Sequence, residues 1–298
     1  MRIAGYTRAI REVTGHALNA NRTWRAIGDY LRWNIGRRLL RADYVLPMAN
    51  DAVIILSDRQ NYATLSFTCA LWDFEEMLFL THLLRPDDLF VDIGANVGGY
   101  TILASAVAGA RSIAFEPVPA TYAELLRNIR VNGIEDLAQG HQLGLGDTEQ
   151  TLSMTADRGG LNHVVATQWK GATVEVAVRR LDDVIGQTNC RLMKLDAEGF
   201  EMNILRGARK TLANPHLAAL IVELNGSGER YGYSDASVHQ EITSQGFMPH
   251  RYDPCTRRLI ALATFNQGSL NTLYVREADE TMRVLAGAAK VRVRDRDF

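Results

Sequence analysis

The chain has 298 residues, 47% of them hydrophobic, with 33 Lys plus Arg against 34 Asp plus Glu and a formal net charge of -1. That length fills one α/β domain with extensions, since a single core grows to roughly 250–300 residues before chains divide. The charge balance argues against a nucleic-acid binder, which shows a basic stripe and a high isoelectric point.

Residues 1–84 read as an extension of helix and strand. Arg22, Arg25, Arg32, Arg37, Arg38 and Arg41 interleave there with Trp24, Ile27, Leu31, Ile35 and Leu39, the apolar members at helical spacing. Two readings stand for this helix. Its apolar stripe packs on the domain and leaves a solvated basic face, or it lies on an anionic membrane surface. Ala52–Leu56 reads as a strand, and a helix from Phe74 to Leu84 stops before Pro86.

Residues 85–298 read as the main domain. Leu89–Ile93 is an apolar run ending in glycine, as a buried parallel strand does. Thr101–Ala108 suits a helix and Ser112–Phe115 a second strand. Pro119 opens a helix carrying Tyr122, Leu125, Leu126 and Ile129 on one face, and Gly133 can stop it. Gly140–Leu145 is a weak third strand, and residues 148–180 look like an inserted pair of strands. Leu192–Asp196, a helix over Phe200–Leu212, Leu220–Glu223, a helix capped by Asp235 and ending at Gly246, Phe247–Tyr252 and Asn271–Val275 complete the pattern. Such alternation predicts a doubly wound, mostly parallel sheet of seven strands with helices on both faces.

Two clusters carry the ligand argument. Val91-Asp92-Ile93-Gly94-Ala95-Asn96-Val97-Gly98-Gly99-Tyr100 occupies a strand-to-helix turn, where doubly wound folds bind nucleotides. It lacks G-x-G-x-x-G, with Asn96 where a central glycine belongs, so a pyrophosphate is disfavoured. Asp92 would repel phosphate but can accept a hydrogen bond from an ammonium. Glu116, 24 positions after Asp92, ends the second strand, where an acid about 20 positions on binds ribose hydroxyls. An amino-acid-bearing nucleoside satisfies both carboxylates, and S-adenosylmethionine (SAM) is the obvious one. Ala95, Tyr100, Thr101 and Pro117 flank these positions as further candidate cofactor contacts.

Three motifs resemble the FkbM family of SAM-dependent methyltransferases: Val91-Asp92-Ile93-Gly94-Ala95-Asn96-Val97-Gly98, Phe115-Glu116-Pro117, and Lys194-Leu195-Asp196-Ala197-Glu198-Gly199-Phe200-Glu201 continuing to Leu205-Arg206-Gly207-Ala208. The resemblance covers about Tyr62 to Glu223. It implies a Rossmann-like class I methyltransferase fold and O-methylation, in many members of sugars or polyketide hydroxyls. It also implies that Asp92, Gly94, Asn96 and Gly98 line the methionine side of SAM and Glu116 the ribose. Asp147 is placed near the adenine by the same resemblance.

Methyl transfer needs an in-line approach and a group to take the acceptor's proton. Lys194 and Asp196, two apart on the fourth strand, face the same way, and a lysine inside a core strand is costly unless paired. They are candidates to orient the acceptor or take its proton, with a structural ion pair as the alternative. Glu198 is a third catalytic candidate. Glu201 stands at a helix start, where the dipole alone can explain a carboxylate. Asp196, Glu223 and Asn225 can converge at neighbouring strand ends, as oxygen ligands of a metal would, but the lysine departs from that pattern and no metal is expected. His163, in the insertion, is a weaker candidate base.

The expected acceptor is a small molecule or glycan bearing a hydroxyl, with no nucleic-acid partner. An inactive SAM-fold binding protein and an NAD-dependent oxidoreductase are the competing readings. Cys69, Cys190 and Cys255 stand far apart without a C-x-x-C pair, which fits a reducing, cytoplasmic setting. The N-terminus, beginning Met1–Arg8, has no apolar stretch of the kind a cleaved signal peptide carries, so none is expected, and no run reaches the roughly 18 apolar residues of a membrane span. Peripheral membrane contact rests on the basic helix alone.

Overall fold

The computed structural model describes residues 2–40, 42–57, 63–166 and 169–298. Arg41 lies outside them, as does the side chain of Arg37. An eight-stranded sheet forms the centre. The first five core strands are Leu89–Ile93, Arg111–Phe115, Ala138–His141, Leu192–Leu195 and Ala219–Glu223. They run parallel in the spatial order third, second, first, fourth, fifth. Asn271–Val275 pairs antiparallel with the fifth, and Met248–Asp253 pairs antiparallel with it in turn. This is the Rossmann-like arrangement of class I methyltransferases. The eighth strand, beyond the seven expected, is Arg258–Ala261, which folds back on Met248–Asp253 as an edge hairpin. The strand order reverses between the first and fourth strands, the place where open α/β sheets form a ligand crevice.

Several elements differ from the sequence reading. The third strand is Ala138–His141, while Gly144–Leu145 joins the insertion and pairs with Thr173–Arg179. That strand also pairs antiparallel with Gln150–Thr155, so the insertion is a three-stranded sheet. The helix expected over Phe200–Leu212 is two short ones, Glu201–Gly207 and Arg209–Ala213. The helix after the first strand is a single α-turn, Gly99–Ile102, running into π-helical Leu103–Val107. Ser234 rather than Asp235 is the N-cap of Asp235–Ser244, accepting from Ser237 N–H, while Asp235 accepts from Gly226 N–H.

The extension is built from helices Arg2–Gly15, Thr23–Leu40, Ala63–Cys69 and Phe74–Leu83, with a hairpin of Tyr44–Pro47 and Val53–Leu56. A small cluster of its own, Val13, Ala26 and Tyr30, sits beside a larger shared one. Trp33, Leu46, Ile54 and Leu56 belong to one buried cluster with Phe90, Tyr100, Leu192 and Ile221 of the main sheet. The tie is also polar. Asn128 and Asn132, one turn apart on and just after helix Pro119–Val131, act as a substitute strand. Asn132 exchanges both hydrogen bonds with Val53, and Asn128 with Ile55. Asn128 Nδ2 also donates to the Val97 carbonyl in the glycine-rich loop, at 2.9 Å.

Asn128 is fully buried, so Asn128→Ala strands the backbone groups it satisfies. We expect a loss of about 2–4 kcal/mol in urea unfolding. A loss below about 0.5 kcal/mol would mean that the amide ladder does not hold the extension.

Candidate active site

The first strand ends in a tight turn that brings its loop against the fourth. Gly94, at φ 74°, has the Asp196 carbonyl where a Cβ would sit, 1.8 Å away, so only glycine fits. Asn96 adopts φ 51°, a region asparagine tolerates better than most residues. That explains its presence at the expected glycine position. Glu116 locks this loop: its Oε2 accepts from Asn96 N–H at 3.1 Å and its Oε1 from Val118 N–H at 2.9 Å. The two motifs, far apart in sequence, are thus joined through one carboxylate.

A cleft opens over these strand ends. Gly94, Asn96, Glu116 and Pro117 line it, and Val118, Leu143, Leu145, Met154 and Phe200 give it an apolar slot. A second cavity continues from it, sharing Gly94, Asn96, Gly160, Asp196 and Glu198, and adds Trp72, Asp73, Asp92, Ala95, Tyr100, Lys194, Glu223 and Asn271. The two spaces meet at Gly94, Asn96 and Asp196. Asp92 is buried; its Oδ2 accepts from Thr101 N–H and Oγ1–H, while Oδ1 has no hydrogen-bond partner among the described residues. That orphaned acceptor suits an ammonium, and Glu116 suits ribose hydroxyls.

Lys194 is buried and lines the second cavity. Its Nζ donates to Asp196 Oδ2 at 2.7 Å and lies 4.8 Å from the Tyr100 ring centre. Burial works against its charge, but Asp196 and Asp92 outweigh it and hold its pKa above the ordinary lysine value. The paired Lys194 favours the orienting role over that of a proton acceptor. Burial also opposes the charge of Asp196, yet Lys194 and a hydrogen bond from Glu223 bring it below the ordinary carboxylate range. Glu223 is pushed up to about 10 by burial and the Asp196 charge, so it is protonated at neutral pH and donates to Asp196. Asp196 is the carboxylate of this group that stays charged.

A family profile described as the methyltransferase FkbM domain matches residues 92–249, more than half of the chain. The protein belongs to the FkbM methyltransferase family. It is 32% identical over 151 residues to Methyltransferase 1 of Beauveria bassiana, a span of 41% of this chain and 59% of that protein. With Methyltransferase sdnD of Sordaria araneosa it shares 26% identity over 202 residues, 54% of this chain and 78% of that one. Among solved structures, the FkbM methyltransferase of Methylobacillus flagellatus aligns at 17% identity with a TM-score of 0.45, covering 71% of this chain and 52% of that chain. The family match leaves the dinucleotide oxidoreductase reading without support.

Other residues of the FkbM domain fall into place around the two cavities. Thr101 is fully buried and acts through Asp92, and Gly98 caps the following helix against Leu125, so both support the loop from behind. Asp147 lies elsewhere: Leu143–Leu145 line the cleft, the chain then turns into the insertion, and Asp147 lines a separate hollow with Arg180 and Arg206. Glu201 is a loop holder, its Oε1 accepting from Ala197 N–H and Gly199 N–H. His163 faces the Leu161 carbonyl and Trp169 and lines neither cavity; Gly160 and Leu161 of the same insertion do line the second. Asn225 donates to Glu223 Oε2. Glu198, at φ 51°, holds a conformation that costs a non-glycine residue of order 1–3 kcal/mol, as functional positions often do.

Asp196, Glu198 and Glu223 bring carboxylate oxygens within 4.8 Å of one another, a spacing that can hold a divalent cation; Lys194 already takes one oxygen of Asp196. Trp72 and Asp73 escaped the sequence reading. Asp73 stands in the N-cap position of Phe74–Leu83 but makes no cap bond; its Oδ2 instead accepts from Tyr100 Oη–H at 2.9 Å.

Glu116, Glu198 and Glu201 are each pushed up to about 7 and Glu76 to about 8, burial being the largest cause. Folding thus takes up protons that the unfolded chain has released, and stability falls as pH rises through this range. His16, His82, His141 and His239 are lowered by burial, an opposite effect that lies mainly below the ordinary histidine value. The thermal midpoint of the ligand-free protein should drop between about pH 7 and pH 8.5. A rise over that interval would contradict the buried acid cluster.

Proposed function

We propose that the protein is a SAM-dependent O-methyltransferase acting on a hydroxyl of a sugar, a glycan or a comparable polyhydroxylated metabolite. The observation that carries this is the meeting of the two cavities at Asp196, the charged carboxylate of the cluster. Asp92 Oδ1 and Glu116 would hold the ammonium and ribose, and the apolar slot at Val118, Leu143 and Met154 the base. SAM, when bound, supplies an electrophilic methyl group. Asp196 accepts the proton of the acceptor hydroxyl, and Lys194 fixes the orientation of its carboxylate and keeps it ionised. Protonated Glu223 stabilises the same charge.

The second cavity bears on the acceptor class. Asp73, Asp92, Asp196, Glu198 and Glu223 line it beside Lys194, and the ion pair of Asp196 with Lys194 leaves no unpaired cation among the described residues there to hold an acceptor's phosphate or carboxylate. Trp72 beside these hydrogen-bonding groups suits a neutral polyol.

Asp196→Asn keeps the shape and removes the base. With SAM and a panel of neutral sugars and hydroxylated metabolites, product methylation read by mass spectrometry should show kcat reduced roughly 10²–10⁴-fold, with SAM affinity changed far less. Undiminished turnover in Asp196→Asn would remove Asp196 from this role. SAM binding without methylation of any hydroxyl acceptor would favour a binding protein.

A further inference from the structure

The helix Thr23–Leu40 turns an apolar face to solvent. Trp24, Leu31, Ile35 and Leu39 are 86%, 53%, 59% and 76% exposed, and their spacing places them on one stripe. The expectation that this stripe packs on the domain is therefore reversed. A second apolar face does that instead: Ala26, Tyr30 and Trp33 are buried. Trp33 packs between Tyr44 and Phe67, and its indole N–H donates to Thr64 Oγ1 at 3.1 Å. The helix cannot roll to hide the outer stripe without breaking these contacts.

The stripe is flanked by positive charge. Arg25 and Arg32 are exposed and make no ion pair among the described residues. With Arg22 and Arg294 they line an open hollow that also holds Asp29 and Asp295; Arg22 lies 3.7 Å from Asp295. We propose that this helix seats the protein on an anionic lipid bilayer, with the stripe in the boundary between headgroups and acyl chains and Arg25 and Arg32 on the lipid phosphates. Charge decides the occupant. A second copy docked face to face would set these arginines against their own equivalents, whereas an anionic surface complements them. Trp24 suits such a boundary, where one part of the ring is wet and the rest apolar.

The placement also bears on the cleft. Ala26 and Tyr30 pack against Leu65, and Leu65 lines the second cavity. A bilayer under this helix therefore lies one helix away from the acceptor space. The inference stands whether or not the methyl-transfer reading does.

The test is sedimentation of the full-length protein with vesicles of phosphatidylcholine, with and without phosphatidylglycerol, at low and high salt. We expect partition onto the anionic vesicles alone, weakening with salt. Leu31→Glu with Ile35→Glu, and separately Arg25→Ala with Arg32→Ala, should each lower the partition coefficient roughly tenfold or more, leaving the thermal midpoint unchanged. Absence of binding to anionic vesicles overturns the proposal. So does binding unchanged in both double variants, or a concentration-dependent dimer that Leu31→Glu with Ile35→Glu dissociates.

Discussion

The site depends on one buried cation. Lys194 is a central-strand residue only 3% exposed, and a charge so placed is tolerated only when paired. Its register partner on the first strand is Asp92, and its ion-pair partner is Asp196. Asp73 reaches the same neighbourhood through Tyr100, whose ring lies beside the ammonium. Without Lys194 the convergence of Asp73, Asp92, Asp196 and Glu223 would be self-repelling. With it, Asp196 keeps its charge while Glu223 keeps a proton. A difference in environment thus separates the roles of two neighbouring carboxyl groups.

The reversal of strand order between the first and fourth strands places this network. It sets the Gly94 turn directly against the Asp196 backbone, so the proposed cofactor contact and the proposed base are fixed on the same pair of strand ends. Rigid strands position such groups better than loops do. The extension completes the arrangement. It adds Trp72 and Asp73 to the second cavity and is held to the main domain by the Asn128 and Asn132 ladder to helix Pro119–Val131 and by a shared core. Leu65, Trp72 and Asp73 of the extension thus line the same cavity as Lys194 and Asp196 of the main domain.

Much of this was legible in the chain. The Asp92–Gly98 turn and Glu116 announce themselves because the signals are local: an apolar run, a glycine, an acid at a strand end. Lys194 stood out because burying a lysine demands a partner, but its role depends on neighbours that converge only in three dimensions. Asp73 was illegible for a specific reason: an aspartate before a helix reads as a cap, and nothing local shows that it turns toward Tyr100 instead. Asn128 and Asn132 looked like ordinary polar positions on a helix. In Thr23–Leu40 the periodicity was visible, but Trp24, Leu31, Ile35 and Leu39 compete with Ala26, Tyr30 and Trp33 as the inward face. Periodicity alone does not say which wins. The third strand lies earlier than the apolar pattern suggests, at Ala138–His141, because Gly144–Leu145 is a strand that pairs with the insertion.

The most direct test of the account is a calorimetric titration of SAM, and separately of NAD, into the wild-type protein and Glu116→Ala. Removal of this carboxylate takes away the ribose partner and the anchor of the Asn96 loop, a loss of at least roughly 1–3 kcal/mol. The account predicts micromolar SAM binding, no NAD binding, and a matching loss of SAM affinity in Glu116→Ala. NAD binding in place of SAM, or SAM affinity indifferent to Glu116→Ala, would contradict it.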